Sequence, residues 1–174
     1  MKIQTIVIDD FYENPNDIRE YALNNFSYQE HCFHPGFRTD NLNIENVKNK
    51  IESFIGSIFG KIEDIKINFQ LNTSFEKSWI HKDAINTNIA GVLYLTPDAP
   101  VDSGTELFNS PDNNKNLSDK EFFRWKKQIK IGNKYNRLIL FNSNIFHKSS
   151  NYFGTDRKNG RLVQLFFIKT NLDT

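Results

Sequence analysis

The protein has 174 residues, of which 22 are basic and 21 are acidic, so its formal net charge is +1. This balance excludes a polyanion binder that works by bulk charge, and we do not expect nucleic acid as a partner. The single cysteine excludes an internal disulfide framework, and 38% apolar residues indicate one globular domain over residues 1–174 with no membrane partner. Because acidic residues follow the N-terminus too closely for a signal peptide, we expect a cytoplasmic protein.

The first part of the chain has the pattern of two helices between two strands. Residues 3–8 are largely β-branched and predict a short buried strand. An Asn-Pro pair, typical of a helix N-terminus, predicts a helix over 14–24. Apolar residues spaced three and four apart predict a second helix over 44–58. Residues 65–71 then alternate between apolar and polar, which predicts a half-buried strand at the edge of a sheet.

The remainder has the pattern of strands and loops. The candidate strands are Ser78–Ile85, Ala90–Thr96, Thr105–Phe108, Gln128–Ile131, Arg137–Phe141 and Leu162–Ile168. Helices followed by a run of strands predict an α+β chain that is mainly β, with a sandwich or jelly-roll core. In this organisation residues 1–62 hold an N-terminal strand and supporting helices, and residues 63–170 form the core.

Two histidines and an aspartate are the candidate metal ligands. His81 and Asp83 lie two residues apart in a predicted strand, so their side chains point to the same side. An imidazole and a carboxylate together are two ligands of a facial triad, which binds Fe(II) and leaves three positions open. The third ligand has to come from later in the chain, where His147 is the only histidine. The alternative for His147 is an ordinary loop histidine packed on Phe146.

Arg161 is a second candidate site residue because it opens an apolar strand. If its guanidinium is buried it needs a negatively charged partner, since arginine is not neutralised in proteins. The functional interpretation is a clamp for a ligand carboxylate. The alternative is an arginine at the rim, paired with a surface aspartate.

The order of these motifs resembles that of the Fe(II)/2-oxoglutarate-dependent dioxygenases and is most similar to their prolyl-hydroxylase-like branch. The resemblance covers about residues 75–170. The motifs that carry it are His81-x-Asp83, Ala90–Leu95, Ser103–Phe108 with its Ser-Gly-Thr turn, His147 and Arg161.

This resemblance implies a double-stranded β-helix (jelly-roll) core with N-terminal helices packed on it. It implies that His81, Asp83 and His147 are the catalytic iron ligands. It also implies that Arg161 and Tyr94 bind the distal carboxylate of 2-oxoglutarate. Many relatives have Ser or Thr two residues after the arginine, where this chain has valine, so one hydrogen bond to the cosubstrate is missing.

The implied activity is hydroxylation of a primary substrate, a peptidyl residue or a small molecule, with release of succinate and CO2. Fe(II), 2-oxoglutarate and dioxygen are the implied cofactor and cosubstrates, and ascorbate is a candidate reductant. The alternative function is a non-catalytic jelly-roll module that binds a metal or another ligand. The motifs identify neither the substrate nor the oligomeric state.

Two further segments have weaker signals. His31, Cys32 and His34 could bind zinc, but with one cysteine in the chain we favour a loop at the mouth of the site. Residues 109–136 match no motif, and we expect them to cover the open end of the barrel as a lid that helps to select the substrate. The basic stretch 115–134 within them could touch a phosphate backbone, but we favour a solvated face.

Overall fold

The computed structural model describes residues 5–30, 34–42, 44–83, 86–109 and 124–171. Within these ranges the chain forms ten strands and two helices. Their bounds are β1 Thr5–Ile8, α1 Pro15–Asn25, β2 Gln29–Glu30, β3 Phe37–Arg38, α2 Glu45–Phe59, β4 Ile62–Asn72, β5 Ile89–Tyr94, β6 Thr105–Asn109, β7 Lys126–Ile131, β8 Leu138–Asn142, β9 Phe146–Ser149 and β10 Arg161–Thr170. Neither helix in the described part of the chain is long and apolar enough to cross a membrane.

The strands form two antiparallel sheets. The larger sheet has seven strands in the order β1-β8-β5-β10-β4-β3-β2, and the smaller sheet has three in the order β7-β6-β9. Neighbours in the larger sheet are mostly distant in sequence, as expected where strands cross between two facing sheets of a jelly roll. The prediction of a mainly β chain with a jelly-roll core is confirmed.

Two apolar clusters lie on opposite faces of the larger sheet. On one face, residues of β5, β8 and β10 such as Val163 pack with Leu107 and Ile131 of the smaller sheet. On the other face, Phe166 and its neighbours belong to one cluster with buried side chains of both helices, among them Ala22 and Ile51. A strand buried on both faces needs apolar residues at successive positions, which explains the apolar run in β10.

The strand predicted over 65–71 exists, but its predicted position at a sheet edge is wrong. β4 lies between β10 and β3. Its polar residues Gln70 and Asn72 are buried, and the Gln70 amide donates to the Asn72 side chain and to the carbonyl of Pro35. The alternating pattern suggested a solvent-facing side, yet β3 extends the sheet beyond β4 and the side chain of Gln70 lines a cavity. The carbonyl of Pro35, just before β3, accepts from the buried amides of Gln70 and Asn72.

The strand predicted over 78–85 is also wrong, because its described part holds only one isolated bridge, between His81 and His147. Conversely, His147 lies in a strand, β9, that the pattern did not indicate. In the segment 109–136, residues 126–131 form β7, as predicted, whereas residues 110–123 lie outside the described residues. His31 and Cys32 lie outside them as well.

Gly104, in the Ser-Gly-Thr turn before β6, packs closely against the backbone at the end of β7, and a substitution here tests that contact. A Cβ at this position would lie 1.8 Å from the carbonyl oxygen of Ile131 and 2.9 Å from the backbone nitrogen of Asn133. We expect Gly104→Ala to lower the free energy of unfolding by at least about 2 kcal/mol, measured by urea denaturation. Gly56→Ala is the matched control, because its Cβ in helix α2 would meet only Glu52 at 3.7 Å. It should raise the free energy of unfolding by about 0.5–1 kcal/mol. Equal effects of the two changes would contradict the packing described.

Candidate metal and carboxylate site

The structure brings His81, Asp83 and His147 together at the end of the barrel. The candidate ligand atoms of the three side chains all lie within 4.8 Å of one another. Nε2 of His147 lies 3.4 Å from one carboxylate oxygen of Asp83, and Nε2 of His81 lies 3.8 Å from the other. The histidine ring centroids are 4.4 Å apart. The three side chains predicted from the sequence therefore converge on one point.

Backbone hydrogen bonds hold the two histidines against each other. The His81 amide donates to the His147 carbonyl at 3.0 Å, and the His147 amide donates to the His81 carbonyl at 2.8 Å. This reciprocal bridge joins the irregular segment that carries His81 to strand β9. The side chain of His147 is 8% exposed, that of Asp83 15% and that of His81 39%, so the cluster opens to solvent on the His81 side.

The ring nitrogens of both histidines are arranged as in a metal site. Nδ1 of His81 lies 3.0 Å from the carbonyl oxygen of Trp79, and Nδ1 of His147 lies 2.9 Å from that of Ile145. A carbonyl only accepts, so each Nδ1 carries a proton, and Nε2, which faces Asp83, is the nitrogen of each ring that can bind a metal. Metal-binding histidines commonly have this outer hydrogen bond, which sets the tautomer and the ring orientation. The donor set of two imidazoles and one carboxylate suits Fe(II).

The surroundings keep His81 neutral. Desolvation lowers the pKa of His81 below its ordinary value of 6.5, and the neighbouring His147 lowers it further. The hydrogen bond that His81 donates to the Trp79 carbonyl and the charge of Asp83 act in the opposite direction but do not outweigh burial. A neutral imidazole at pH 7 is the form that binds a metal ion.

Arg161 lies deep in the same cavity. It is 2% exposed, its Nε donates to the carbonyl of Ser103 at 3.1 Å, and its guanidinium lies 5.4 Å from the ring centroid of Tyr94 and 5.9 Å from that of Tyr152. Among the described residues, no carboxylate oxygen lies within 4 Å of it. The alternative of a rim arginine paired with a surface aspartate is therefore wrong. A buried guanidinium without a counter-charge favours an anionic ligand.

Tyr94 is fully buried beneath this guanidinium. Its hydroxyl lies 2.8 Å from the hydroxyl of Thr105, and burial raises the pKa of Tyr94 while the charge of Arg161 opposes the increase. The tyrosine supports Arg161 and does not itself line the cavity.

One cavity joins the histidine cluster to Arg161. Its empty volume is about 660 Å³, including space open to solvent, and Val163, Leu165 and Phe167 of β10 form an apolar wall. His34 lines this cavity, as expected for a residue near its mouth.

Arg38, Gln70 and Tyr152 are among the cavity residues that the sequence patterns missed. Arg38 lies in a strand of two residues, which is too short to give a periodic pattern. The side chain of Gln70 belongs to the polar face of a strand that seemed half-exposed. The sequence signal that could have identified Gln70 is the alternation in residues 65–71, if both faces of this strand are taken to be buried.

Comparisons with known proteins show which fold this is. No protein-family model matches the chain, and no curated protein matches it in sequence. Solved structures do match. HygX from Streptomyces hygroscopicus, with nickel and 2-oxoglutarate bound, has a TM-score of 0.70 at 10% identity, over 97% of this chain and 83% of that one. A prolyl-4-hydroxylase from Pseudomonas putida has a TM-score of 0.60 at 12% identity, over 97% and 93%.

A prolyl hydroxylase from Trichoplax adhaerens, in complex with a hypoxia inducible factor peptide fragment, has a TM-score of 0.63 at 14% identity, over 95% of this chain and 83% of that one. The chain has the fold of the prolyl-hydroxylase-like 2-oxoglutarate oxygenases. The resemblance drawn from the order of motifs is thus confirmed at the level of the fold.

The lowered pKa of His81 predicts a pH dependence of stability. The unfolded chain binds a proton at His81 as the pH falls below 6.5, and the folded protein does not until a lower pH, so the free energy of unfolding of the metal-free protein falls in that range. His81→Gln should lose less stability between pH 7 and pH 5.5 than the wild type, measured by urea denaturation in the presence of a chelator. An equal loss in both proteins would contradict a desolvated His81.

Proposed function

We propose that the protein is an Fe(II)- and 2-oxoglutarate-dependent oxygenase that hydroxylates a primary substrate with release of succinate and CO2. One observation carries the proposal: a two-histidine, one-carboxylate cluster and a buried guanidinium without a counter-charge line the same cavity. A metal-binding module needs only the first of these features. The substrate, a peptidyl residue or a small molecule, is a second and finer part of the proposal, supported by the peptide fragment bound to the Trichoplax prolyl hydroxylase and by the hygromycin B bound to HygX.

In this proposal His81, Asp83 and His147 hold the iron. Bound Fe(II) supplies the activation of dioxygen, and 2-oxoglutarate supplies the electrons for it. The carbonyls of Trp79 and Ile145 fix both imidazole rings through Nδ1, so that only Nε2 is available to the metal. The chain thereby orients the ligands before the metal binds.

Arg161 binds the distal carboxylate of 2-oxoglutarate. Its Nε is held by the Ser103 carbonyl, which leaves the terminal nitrogens of the guanidinium to form a bidentate, charge-assisted pair. Tyr94 serves the carboxylate site from below: its ring lies under the guanidinium, and its hydroxyl is 2.8 Å from that of Thr105, which lines the cavity. Val163, where many relatives have a hydroxyl, contributes an apolar contact in place of a hydrogen bond. Ascorbate would act as an external reductant and needs no site in the fold.

An anaerobic binding experiment tests the proposal against the alternative of a non-catalytic metal-binding module. Fe(II) and 2-oxoglutarate are added together and the visible spectrum is recorded. We expect a weak charge-transfer band that requires both additions, followed by succinate formation after air is admitted. A module that only binds metal would give neither the band nor succinate.

Removal of a metal ligand should abolish both binding and turnover. We expect His81→Ala, Asp83→Ala and His147→Ala each to weaken Fe(II) binding by more than about 100-fold, since changes to outer-shell partners alone cost about 10–100-fold. Anaerobic titration measures the affinity, and circular dichroism checks that the fold is intact. Near-normal iron affinity in His147→Ala would show that the triad is wrongly assigned.

Removal of the carboxylate clamp should affect 2-oxoglutarate selectively. A charge-assisted contact of about 1.5–3 kcal/mol corresponds to an increase of about tenfold to hundredfold in the Kd for 2-oxoglutarate in Arg161→Ala, with iron affinity retained. Arg161→Lys should recover only part of the affinity, because it offers a point charge instead of a fork. Arg157→Ala is the matched control, since Arg157 is exposed and contacts Phe26 and Tyr28 outside the cavity. An unchanged Kd in Arg161→Ala would make Arg161 a structural residue.

We also propose that the chain is a single domain. Within it, residues 109–136 act as a lid over the cavity. Asn109 pairs with Lys126 beside the cavity, and Trp125 packs on Phe146 with ring centroids 4.7 Å apart. Phe146 directly precedes His147, so this flank of the segment is anchored next to the metal cluster. Replacement of residues 112–123 by a short Gly-Ser link should leave the Kd values for Fe(II) and 2-oxoglutarate within about twofold, because the lid selects only the substrate. A large loss of either would contradict a lid.

A further inference from the structure

A second arginine, Arg38, lines the cavity close to the metal cluster. It lies on β3, opposite Gln70 of β4, which in turn lies opposite Val163 of β10. Cross-strand partners point to the same face, so Arg38 faces the cavity together with Val163 and Arg161. Two strand spacings, about 10 Å, separate the backbones of β3 and β10. The two arginines therefore reach the cavity from the same face of the sheet, but from strands that lie about 10 Å apart.

Gln70 holds the Arg38 guanidinium in place. Both Nε and a terminal nitrogen of Arg38 donate to Oε1 of Gln70. The amide nitrogen of Gln70 donates to Pro35 and Asn72, and this fixes which way the amide points. The flat face of the guanidinium lies 5.6 Å from the ring centroid of Phe167. An arginine with so many contacts is preorganised and does not sample many rotamers.

The charge of Arg38 is not balanced by the protein. In the described part of the chain, no carboxylate oxygen lies within 4 Å of its guanidinium. Desolvation lowers the pKa of Arg38 to about 10, and Asp83, the carboxylate of the metal cluster, opposes this only in part. Arg38 stays protonated at pH 7, so the folded protein carries a desolvated charge that Asp83 offsets only in part.

The whole cavity has an excess of positive charge. Among the described residues, its lining contains the two guanidiniums of Arg38 and Arg161 and one carboxylate, Asp83. A divalent metal ion adds two positive charges and 2-oxoglutarate removes two. Counted over these groups, the cavity with its cofactor and cosubstrate would remain positive, and the remaining charge lies at Arg38.

Arg38 lies nearer the mouth than Arg161. It lies in β3, which extends the sheet beyond β4, and it lines the cavity together with His34 and Pro35, whereas Arg161 is almost completely buried. A primary substrate that enters after 2-oxoglutarate would therefore meet Arg38 first.

We propose that Arg38 is a specificity residue that binds a carboxylate of the primary substrate, so that the substrate class is a carboxylic acid. This inference rests on the proposed function, because it assigns Arg161 to 2-oxoglutarate and leaves Arg38 for the substrate. Gln70 acts as the positioning residue, and Phe167 supports the guanidinium from below.

Saturation-transfer NMR with benzoate and benzamide tests this inference. The two probes have nearly the same shape and differ in charge, and the planar ring suits a wall that contains Trp79, Tyr152 and Phe167. The protein is loaded with Ni(II) and saturating 2-oxoglutarate, and the Kd values for both are measured first. Failure of this loading would count against the proposed function, whereas the probe experiment on a loaded protein tests Arg38 alone.

We expect wild-type protein to bind benzoate with a millimolar Kd and benzamide at least about tenfold more weakly. Arg38→Gln, which can still donate to Gln70, should weaken benzoate binding about tenfold or more and leave the Kd for 2-oxoglutarate within about twofold. Arg38→Lys should be intermediate, and the control Arg157→Gln should behave as wild type.

Three results would overturn the inference. The first is no benzoate binding by loaded wild-type protein, and the second is equal binding of benzoate and benzamide. The third is a strong increase in the Kd for 2-oxoglutarate in Arg38→Gln, which would make Arg38 a cosubstrate ligand. Thermal unfolding of each variant confirms that the comparison is between folded proteins.

Discussion

The candidate site depends on one pair of backbone hydrogen bonds. His81 lies in an irregular segment after β4, and His147 lies in β9 of the smaller sheet, so nothing local brings them together. The reciprocal bonds between their backbone amides and carbonyls fix their separation, and carbonyl groups two residues earlier fix both rings. Backbone groups cannot change rotamer, so this bridge defines the positions of the two ligand nitrogens more rigidly than side-chain contacts would.

The charges that line the cavity do not balance in the protein alone, and anionic ligands would balance them. Two guanidiniums, Arg38 and Arg161, face a cavity in which Asp83 is the only carboxylate among the described lining residues. A folded chain normally pairs a buried charge, because desolvation without a partner costs several kcal/mol. Here the large two-sided core supplies the stability that tolerates unpaired charges, and bound anions would remove the cost. The unpaired charges therefore lower the free energy of unfolding, and they do so at the site where we propose that ligands bind.

Much of the architecture could be predicted from local patterns, and the errors have a common cause. The two helices and most strands were indicated by period and by β-branched composition, because these features act within one element. The predicted edge position of residues 65–71 was wrong because β3 pairs with that strand, and the strand predicted over 78–85 was wrong because its described part has only a single bridge partner. Both errors concern pairing with a distant segment, which no local period encodes.

The sequence by itself determined which residues could bind a metal and a carboxylate. His81, Asp83, His147 and Arg161 are identified by residue type and order, because few side chains have the required chemistry. Only the tertiary structure decided that these residues line one cavity and that Arg161 has no carboxylate partner in the described chain. It alone also brought Arg38 into the cavity, since a strand of two residues acquires its place only by pairing with β4. The type of each residue decides which ligand it can bind, whereas the pairing of distant strands decides which residues lie close together.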